Sequence, residues 1–429
     1  MKKEKVIAVI DLKAFYSFVE CIDRGLDPFT TPLVVCDKDR GKNTIILSVT
    51  PYLKSIGVPS RLRYKELPKG IDYIYAVPRM QRYIERSSEV ISILLDFVSE
   101  EDLHVYSIDE AFIDLTTYLP YYKKTPVELI SEIIAKIKEK TGLTATAGIG
   151  PNFFLAKVAL DIYAKKEPNG IATMKLEEIK TRLWPITPLS KIWGIGPRME
   201  ARLNALGIKT VKDLAQSNIE YIRKYFGVMG EQMVNHANGI DDSDIREVYI
   251  PKETSLSIGQ VLFKDYTKEE APLIIKEMSD DLSMRMRQEG KMTNCVSLYI
   301  GYSKEGGFNR QISLINPTDD RDVLFESLML IYNTFIEDYP IRRINLNFSK
   351  LVNVPEYEQL SLFNDADEFR NKRNLQLAID NIQLKYGKNK ILRASALDEN
   401  STIIERHNQI GGHRRWAKEE WKNGFHIAH

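Results

Sequence analysis

His104-Val-Tyr-Ser-Ile-Asp-Glu-Ala-Phe-Ile-Asp-Leu115 is the stretch on which the reading of this chain turns. Two apolar half-strands, Leu103–Tyr106 and Ala111–Leu115, flank the adjacent carboxylates Asp109 and Glu110. Neighbouring side chains on a regular strand point to opposite faces. Two adjacent carboxylates that serve one site therefore need a turn at Ser107–Glu110, and a hairpin with two anions side by side at its tip is expected. Close anions raise each other's pKa unless a cation sits with them. Two carboxylates with open positions suit a divalent ion such as magnesium. Taken alone, the same residues are equally compatible with a solvated acidic turn.

A second stretch shifts the balance. Lys5-Val-Ile-Ala-Val-Ile10 is a continuous apolar run of buried-strand length, and it ends in Asp11. The aromatics Phe15 and Tyr16 follow closely. Asp11, Asp109 and Glu110 on neighbouring strands would form a three-carboxylate cluster able to hold two metal ions. Such a pair stabilises both the attacking and the leaving oxygen of an in-line phosphoryl displacement.

Asp11-Leu-Lys-Ala-Phe-Tyr-Ser-Phe-Val-Glu20 together with Ser107-Ile-Asp-Glu-Ala-Phe-Ile-Asp114 resembles the Y-family (translesion) DNA polymerases, most closely the bacterial UmuC-like branch. The resemblance continues through Thr146-Ala-Gly-Ile-Gly-Pro-Asn-Phe-Phe-Leu-Ala-Lys157 and Glu167-Pro-Asn-Gly-Ile171, in the right order over most of the chain. It implies an α+β multidomain fold, a right-hand polymerase with palm, fingers, helical thumb and little finger. It also implies template-directed DNA synthesis across damaged templates, as in SOS-type DNA repair. Two Mg²⁺ would be held by Asp11, Asp109, Glu110 and the backbone carbonyl of Leu12. Primer–template DNA and deoxynucleoside triphosphates would be the substrates.

Composition sets bounds around this. The chain has 429 residues, 43% of them hydrophobic and 28% charged, as in a soluble globular protein of two to four domains. No apolar run is long enough for a membrane span, and Met-Lys-Lys-Glu-Lys leads straight into a strand, unlike a signal peptide. Cys21, Cys36 and Cys295 have no metal-ligand spacing and read as reduced thiols of a cytoplasmic protein. A net charge of +1 confines any DNA-binding footprint to local patches.

In chain order the expected palm comprises residues 1–14 and 79–175, with the fingers at 15–78. Phe15 and Tyr16 would lie under the incoming sugar, Tyr16 as a steric gate against ribose. By resemblance, Ser48 and Lys54 contact the triphosphate; Pro51, which cannot donate, does not. Arg79–Val98 and Pro126–Lys140 have helical apolar spacing, and Asn152–Ala164 reads as a helix after a Gly-Ile-Gly-Pro turn. Lys157 on it would neutralise the β- and γ-phosphates.

Residues 176–243 resemble a thumb with a helix-hairpin-helix. Gly194-Ile-Gly196 before Pro197 makes a tight turn at a helix start, where Gly194, Ile195 and Gly196 offer backbone N–H groups to a DNA phosphate. Asp241–Pro251 reads as a linker. Residues 252–350 match a little finger of two helices and about four strands, in which acidic residues slightly outnumber basic ones. Lys252, Arg285, Arg287 and Arg310 are its loose candidates for DNA contact.

Residues 351–429 form a tail in which Gln359-Leu-Ser-Leu-Phe363 resembles a sliding-clamp-binding peptide. Gln359, Leu360, Leu362 and Phe363 would dock, and a helix is expected at Phe369–Tyr386. An accessory subunit is conceivable from the UmuC-like resemblance, and the sequence does not identify one. Two other functions fit parts of the chain. A non-catalytic DNA- and clamp-binding accessory protein would not need the carboxylate triad. A nucleotidyl cyclase would not need the thumb hairpin or the docking peptide.

Overall fold

The computed structural model describes residues 5–247, 251, 253–304, 306–355 and 366–416. The chain divides into two compact units, the first running to Tyr249 and the second covering Ile250–Arg415. None of its described helices is long and apolar enough to cross a membrane.

The first unit begins with strand β1 (Ile7–Leu12) and helix α1 (Phe15–Asp23). A small sheet follows, made of β2 (Leu33–Val35), β3 (Ser48–Val49) and β4 (Ile74–Ala76), with the short helix α2 (Pro51–Ser55) after β3. Of the expected strand Thr44–Ser48, only Ser48 enters the ladder, and Ile45 makes one isolated bridge to Arg63. Helix α3 (Met80–Leu95) leads to the acidic hairpin, β5 (Leu103–Val105) and β6 (Glu110–Asp114). After the short α4 (Tyr118–Tyr122) comes α5 (Pro126–Thr141). Its start is fixed by a capping box between Thr125 and Glu128 with Pro126 in the first turn, and Gly142, at φ 73°, ends it.

Strand β7 (Ala145–Gly150), helix α6 (Phe153–Val158) and strand β8 (Ile171–Thr173) complete a five-stranded sheet in the order β5-β6-β1-β7-β8. β1 is its centre, antiparallel to both β6 and β7. The strand expected at Leu143–Ile149 is β7, and it runs one residue further, so that both glycines of Gly-Ile-Gly-Pro lie inside it and the turn follows Gly150. A Cβ on Gly148 would lie 2.1 Å from the Ala156 carbonyl oxygen, and one on Gly150 would lie 2.6 Å from the Ala156 nitrogen. The glycines let the helical run after β7 rest directly on the strand backbone.

Helices α7 (Pro197–Ala205), α8 (Val211–Ala215), α9 (Ile219–Phe226) and α10 (Val228–Ala237) share one apolar core with the sheet, which includes Phe112, Phe153, Leu203, Val211 and Met233. The expected linker is tied down in its first half. Lys5 Nζ meets Asp244 at 2.8 Å, and the Arg246 guanidinium bonds the Asp102 carboxylate at 2.9 and 3.0 Å.

The second unit is a four-stranded antiparallel sheet of β9 (Leu256–Tyr266), β10 (Lys291–Tyr302), β11 (Gly307–Thr318) and β12 (Ile341–Asn353), in the order β11-β10-β12-β9. Helices α11 (Ala271–Gln288) and α12 (Arg321–Phe335) pack on it around a core that includes Met278, Leu298, Leu328 and Phe348. A hollow of about 760 Å³ on the strands is lined by Ser257, Ser297, Asn309, Arg310, Asn345 and Asn347, among others. Helix α13 (Ala366–Tyr386) and the chain to Arg415 belong to the same unit, through polar contacts. Arg287 is therefore no DNA contact: its side chain is 3% exposed and pairs with Asp380 at 2.6 Å.

Asp281 of α11 is the centre of these contacts. It takes Arg406 Nε at 3.0 Å and His407 Nε2 at 2.8 Å, with Lys388 Nζ at 3.8 Å. Burial pushes its pKa up, but the His407 hydrogen bond and the Arg406, His407 and Lys388 charges outweigh burial, and the carboxyl is held down at about 2. A carboxylate whose folded pKa lies below its unfolded value stabilises the fold above the unfolded value and ceases to as pH falls through the folded one. About 2 kcal/mol should therefore be lost between roughly pH 4 and pH 2. In denaturant titrations across that window, Asp281→Asn should lose less stability with falling pH than the parent. Parallel pH profiles would refute this role for Asp281.

Candidate active site at the sheet edge

Ile7–Ile10 of β1 are at most 2% exposed, and Asp11 is the first residue beyond this covered run. In the β1–β6 ladder Asp11 lies opposite Glu110. The N–H groups of Tyr106 and Ser107 both donate to the Glu110 carbonyl at 3.0 Å, which closes the hairpin turn. Ser107 Oγ donates to Asp109 Oδ1 at 2.8 Å, and the Leu12 N–H donates to the Asp109 carbonyl at 2.9 Å. The two anions are thus not both at the hairpin tip. Asp109 stands in the turn, stitched to the end of β1, while Glu110 opens β6 and faces Asp11 across the ladder.

Two lysines serve this edge. Lys157 Nζ lies 2.6 Å from Glu110 Oε1 and 3.3 Å from Asp161 Oδ2, with its side chain 8% exposed. Lys165 Nζ lies 3.5 Å from Asp11 Oδ2 and 3.4 Å from Asp161 Oδ1. Asn152 caps the helical run by accepting the Leu155 N–H. The run then widens over Ala159–Tyr163 and tightens over Ala164–Lys166. Sequence reasoning missed Lys165. The signal was the spacing of Lys157, Asp161 and Lys165, four residues apart, which puts them on one helix face.

The electrostatics are those of a crowded anionic site. Burial is the main reason that Asp11 is held above the ordinary carboxylate range; Lys165 opposes the shift and Asp109 adds to it. Glu110 is raised too, again mainly by burial, with Lys157 opposing and Asp11 adding. Burial disfavours the Lys157 ammonium, but Glu110, Asp161 and Asp11 together raise its pKa.

Asp11, Asp109 and Glu110 have the donor chemistry that a divalent metal ion takes. They supply hard oxygen donors, the ligand type such cations take. Glu110 Oε1 is buried with no hydrogen bond of good geometry, its near neighbour being the Lys157 ammonium. Among the described residues no three His, Cys, Asp or Glu side chains form a ready-made ligand shell. At this edge the lysine ammonium groups supply the opposing charge.

Phe15 is buried at the start of α1, while Tyr16 is half-buried and packs on Tyr83, ring centroids 4.7 Å apart. Burial raises the Tyr16 pKa and the charge of Asp109 raises it further. The turn into α1 is left-handed at Ala14, φ 44°. Ser17 Oγ donates to the Ala14 carbonyl at 2.9 Å, and Ser48 Oγ lies 3.0 Å from Ser17 Oγ. Ser48 is 7% exposed and supports that turn. On α2, desolvation lowers the Lys54 pKa, the charge of Lys165 lowers it further, and Asp11 opposes. Lys54, Lys157 and Lys165 therefore act on one edge.

Away from that edge, Gly194 has φ 88°, and Gly196 caps α7 with Pro197 in the first turn. Both glycines are exposed, and a Cβ on either would meet nothing within 4 Å. Ile195 between them is 5% exposed and anchors the turn in the core. Trp193 Nε1 donates to Tyr106 Oη at 3.2 Å, which joins this turn to the acidic hairpin. The docking peptide Gln359–Phe363, like Lys252, lies outside the described residues.

Comparison with known proteins agrees with this geometry. The chain matches the impB/mucB/samB family over residues 10–161, the helix-hairpin-helix motif of that family over 177–208 and its C-terminal domain over 253–362. It is 35% identical over 415 residues to the UvrX protein of Bacillus subtilis (strain 168), covering 96% of this chain and 98% of that one. It is 33% identical over 421 residues to "DNA polymerase IV 2" of the same organism, covering 96% and 100%. A solved Y-family DNA polymerase chimera shares the fold, with a TM-score of 0.66 at 21% identity, over 81% of this chain and 99% of that chain. The carboxylate edge and matches that span nearly the whole sequence place the chain in the impB/mucB/samB family of Y-family DNA polymerases.

Proposed function

We propose that this polymerase extends primers across damaged or distorted templates, the synthesis step of SOS-type damage tolerance, and that the reaction takes place at the Asp11–Asp109–Glu110 edge. The observation that carries this reading is the meeting of three carboxylates and the ammonium groups of Lys157 and Lys165 at the end of a buried strand. Asp11, Asp109, Glu110 and the Leu12 carbonyl would hold two Mg²⁺, which when bound lower the pKa of the primer 3′-hydroxyl and neutralise the leaving pyrophosphate. Lys157 and Lys165 are at hand to exchange their carboxylate partners for triphosphate oxygens, and Lys54 approaches the same anion from α2. Lys157 then holds its charge in a dry setting, where a phosphate contact is worth more than in water.

In this reading the first unit supplies the palm (1–14 and 79–175), fingers (15–78) and thumb (176–243), and residues 252–350 are the little finger. The backbone N–H groups of Gly194 and Gly196 hold a DNA phosphate without reading sequence, whereas the Ile195 N–H, expected to join them, donates to the Ile192 carbonyl at 3.1 Å. The Gln359–Phe363 peptide docks on the sliding clamp, and the protein works in the cytoplasm.

Primer extension tests the catalytic assignment. Asp109→Ala and Glu110→Ala should each reduce nucleotide addition to the assay background, while primer–template affinity, read by fluorescence anisotropy, stays close to the parent's. Normal extension by both variants would overturn it.

Sugar choice tests Tyr16. The Asp109 charge acts on its phenol, and the deoxyribose of the incoming nucleotide would pass at that side. Tyr16→Ala should improve ribonucleotide over deoxyribonucleotide incorporation by roughly ten- to a hundred-fold, as expected when a steric filter is removed. An unchanged ratio in single-nucleotide kinetics would reduce Tyr16 to a packing residue for Tyr83.

A further inference from the structure

One turn along α1 from Tyr16, the chain buries a charged group that the carboxylate edge does not use. Glu20 is 0% exposed. Burying a carboxylate is costly unless it is paired and hydrogen-bonded, and Glu20 is both. Its Oε1 accepts from Arg79 Nε at 2.9 Å and from Tyr83 Oη at 2.7 Å, while its Oε2 pairs with Arg24. Arg79 Nη2 is braced in turn by Asp23 at 2.7 Å. Arg79 stands at the N-terminal cap of α3 and Tyr83 one turn into it, so α1 and α3 are locked together at this level. Tyr83 is also 0% exposed. Burial, and then the charge of Glu20, push its phenol well above the usual range, which keeps the proton on Oη for the Glu20 bond. The Tyr83 ring is where the lock meets the candidate site: its centroid lies 4.7 Å from that of Tyr16 and 6.3 Å from that of Phe15. Tyr16 has no such anchor. Among the described residues its phenol makes no hydrogen bond, and its ring direction is set by packing.

We propose that Glu20 and Tyr83 are positioning residues for sugar selection: Glu20 pins the Tyr83 phenol, and the Tyr83 ring stops Tyr16 from withdrawing when a ribonucleotide enters. The inference rests on the reading of Tyr16 as the steric gate. A group that excludes a 2′-hydroxyl works by not giving way. A side chain keeps its place to within about half an ångström only when packing and hydrogen bonds behind it lock its rotamer. Tyr16 lacks the hydrogen bond, and Tyr83 supplies one at second hand. Stability alone does not call for a charge at this place, because apolar side chains that replace a buried ion pair are often as stable or more so. What the carboxylate adds is direction. A ring packed only on apolar neighbours can slide along them, whereas a ring whose hydroxyl is held by a fixed carboxylate keeps its tilt against Tyr16. The bond is shielded from water, where a hydrogen bond is electrostatically stronger than in solvent.

The test is single-nucleotide kinetics of the full-length chain with matched ribo- and deoxyribonucleotides, read as the ratio of their kcat/KM values. Tyr83→Phe keeps the buried ring and leaves Glu20 its arginines, but removes the pin. It should raise the ribonucleotide-to-deoxyribonucleotide ratio about three-fold, the scale of one hydrogen bond. Tyr83→Leu removes the ring as well and should raise the ratio about ten-fold. A role in folding alone would slow both sugars alike and leave the ratio where it is. An unchanged ratio in Tyr83→Phe therefore overturns the pin, and an unchanged ratio in Tyr83→Leu overturns the whole inference. Should Tyr83→Leu fail to fold, Tyr83→Phe carries the test, since it leaves the packing intact. Combining Tyr83→Phe with Tyr16→Ala should give the ratio of Tyr16→Ala alone, because no gate is left to hold. A further rise in the double variant would mean that Tyr83 acts by another route, and the inference would be wrong. If Tyr16→Ala alone leaves the ratio unchanged, the gate reading fails and the inference falls with it. If Tyr16→Ala changes the ratio while neither Tyr83 variant does, the gate stands and its backing by Glu20 and Tyr83 is refuted.

Discussion

Three carboxylates share the end of one buried strand, and their mutual repulsion is the constraint to which the surrounding structure answers. Asp11 and Glu110 are kept together by the β1–β6 ladder, and Asp109 is tied to Leu12 by a backbone hydrogen bond. None can move away without breaking the sheet. Desolvation and like charge both favour protonation there, so positive charge has to be brought in. Lys157 and Lys165 bring it, with Asp161 between them as a shared partner. A buried charge that lost its partner would be strongly destabilising.

How close Lys157 can come depends on Gly148 and Gly150. Any side chain at either position would push the helical run off β7, because the Cβ alone would collide with helix backbone. Overpacking of that kind has no flexible neighbour to absorb it. Two missing side chains on a strand thus set the depth of a lysine about one turn into the next element. A further relay links Tyr106 in the hairpin to Trp193, beside the glycine turn at the start of α7, so the carboxylate edge and the helix-hairpin-helix share one core.

Much of this was legible in the sequence. The apolar run into Asp11, the helical apolar spacing of Pro126–Lys140 and the Pro197 helix start are local signals, and each is found where the residues put it. Lys165 was missed despite its legible four-residue spacing from Asp161, because the expected helix stopped at Ala164 and the irregular turns that carry the run on to Lys166 have no local signal. The Gly-Ile-Gly turn was placed too early for a related reason. Glycine marks both turns and close approaches, and only the packing partner decides between them. Arg287 read as a surface cation because its partner, Asp380, lies 93 residues away.

The sheet hollow of the second unit has a consequence for how DNA could be held there. Amides and hydroxyls from Ser257, Ser297, Asn309, Asn345 and Asn347 line it, with Arg310 as its one cationic side chain among the described residues. Each phosphate neutralised by a lysine or arginine releases condensed counterions, and that release makes most protein–DNA affinity collapse as salt rises. A face built from neutral donors forgoes most of that entropy. Were a duplex to lie against it, the contact would vary little with ionic strength and would rest on fit to the groove wall rather than on the ion atmosphere of the DNA.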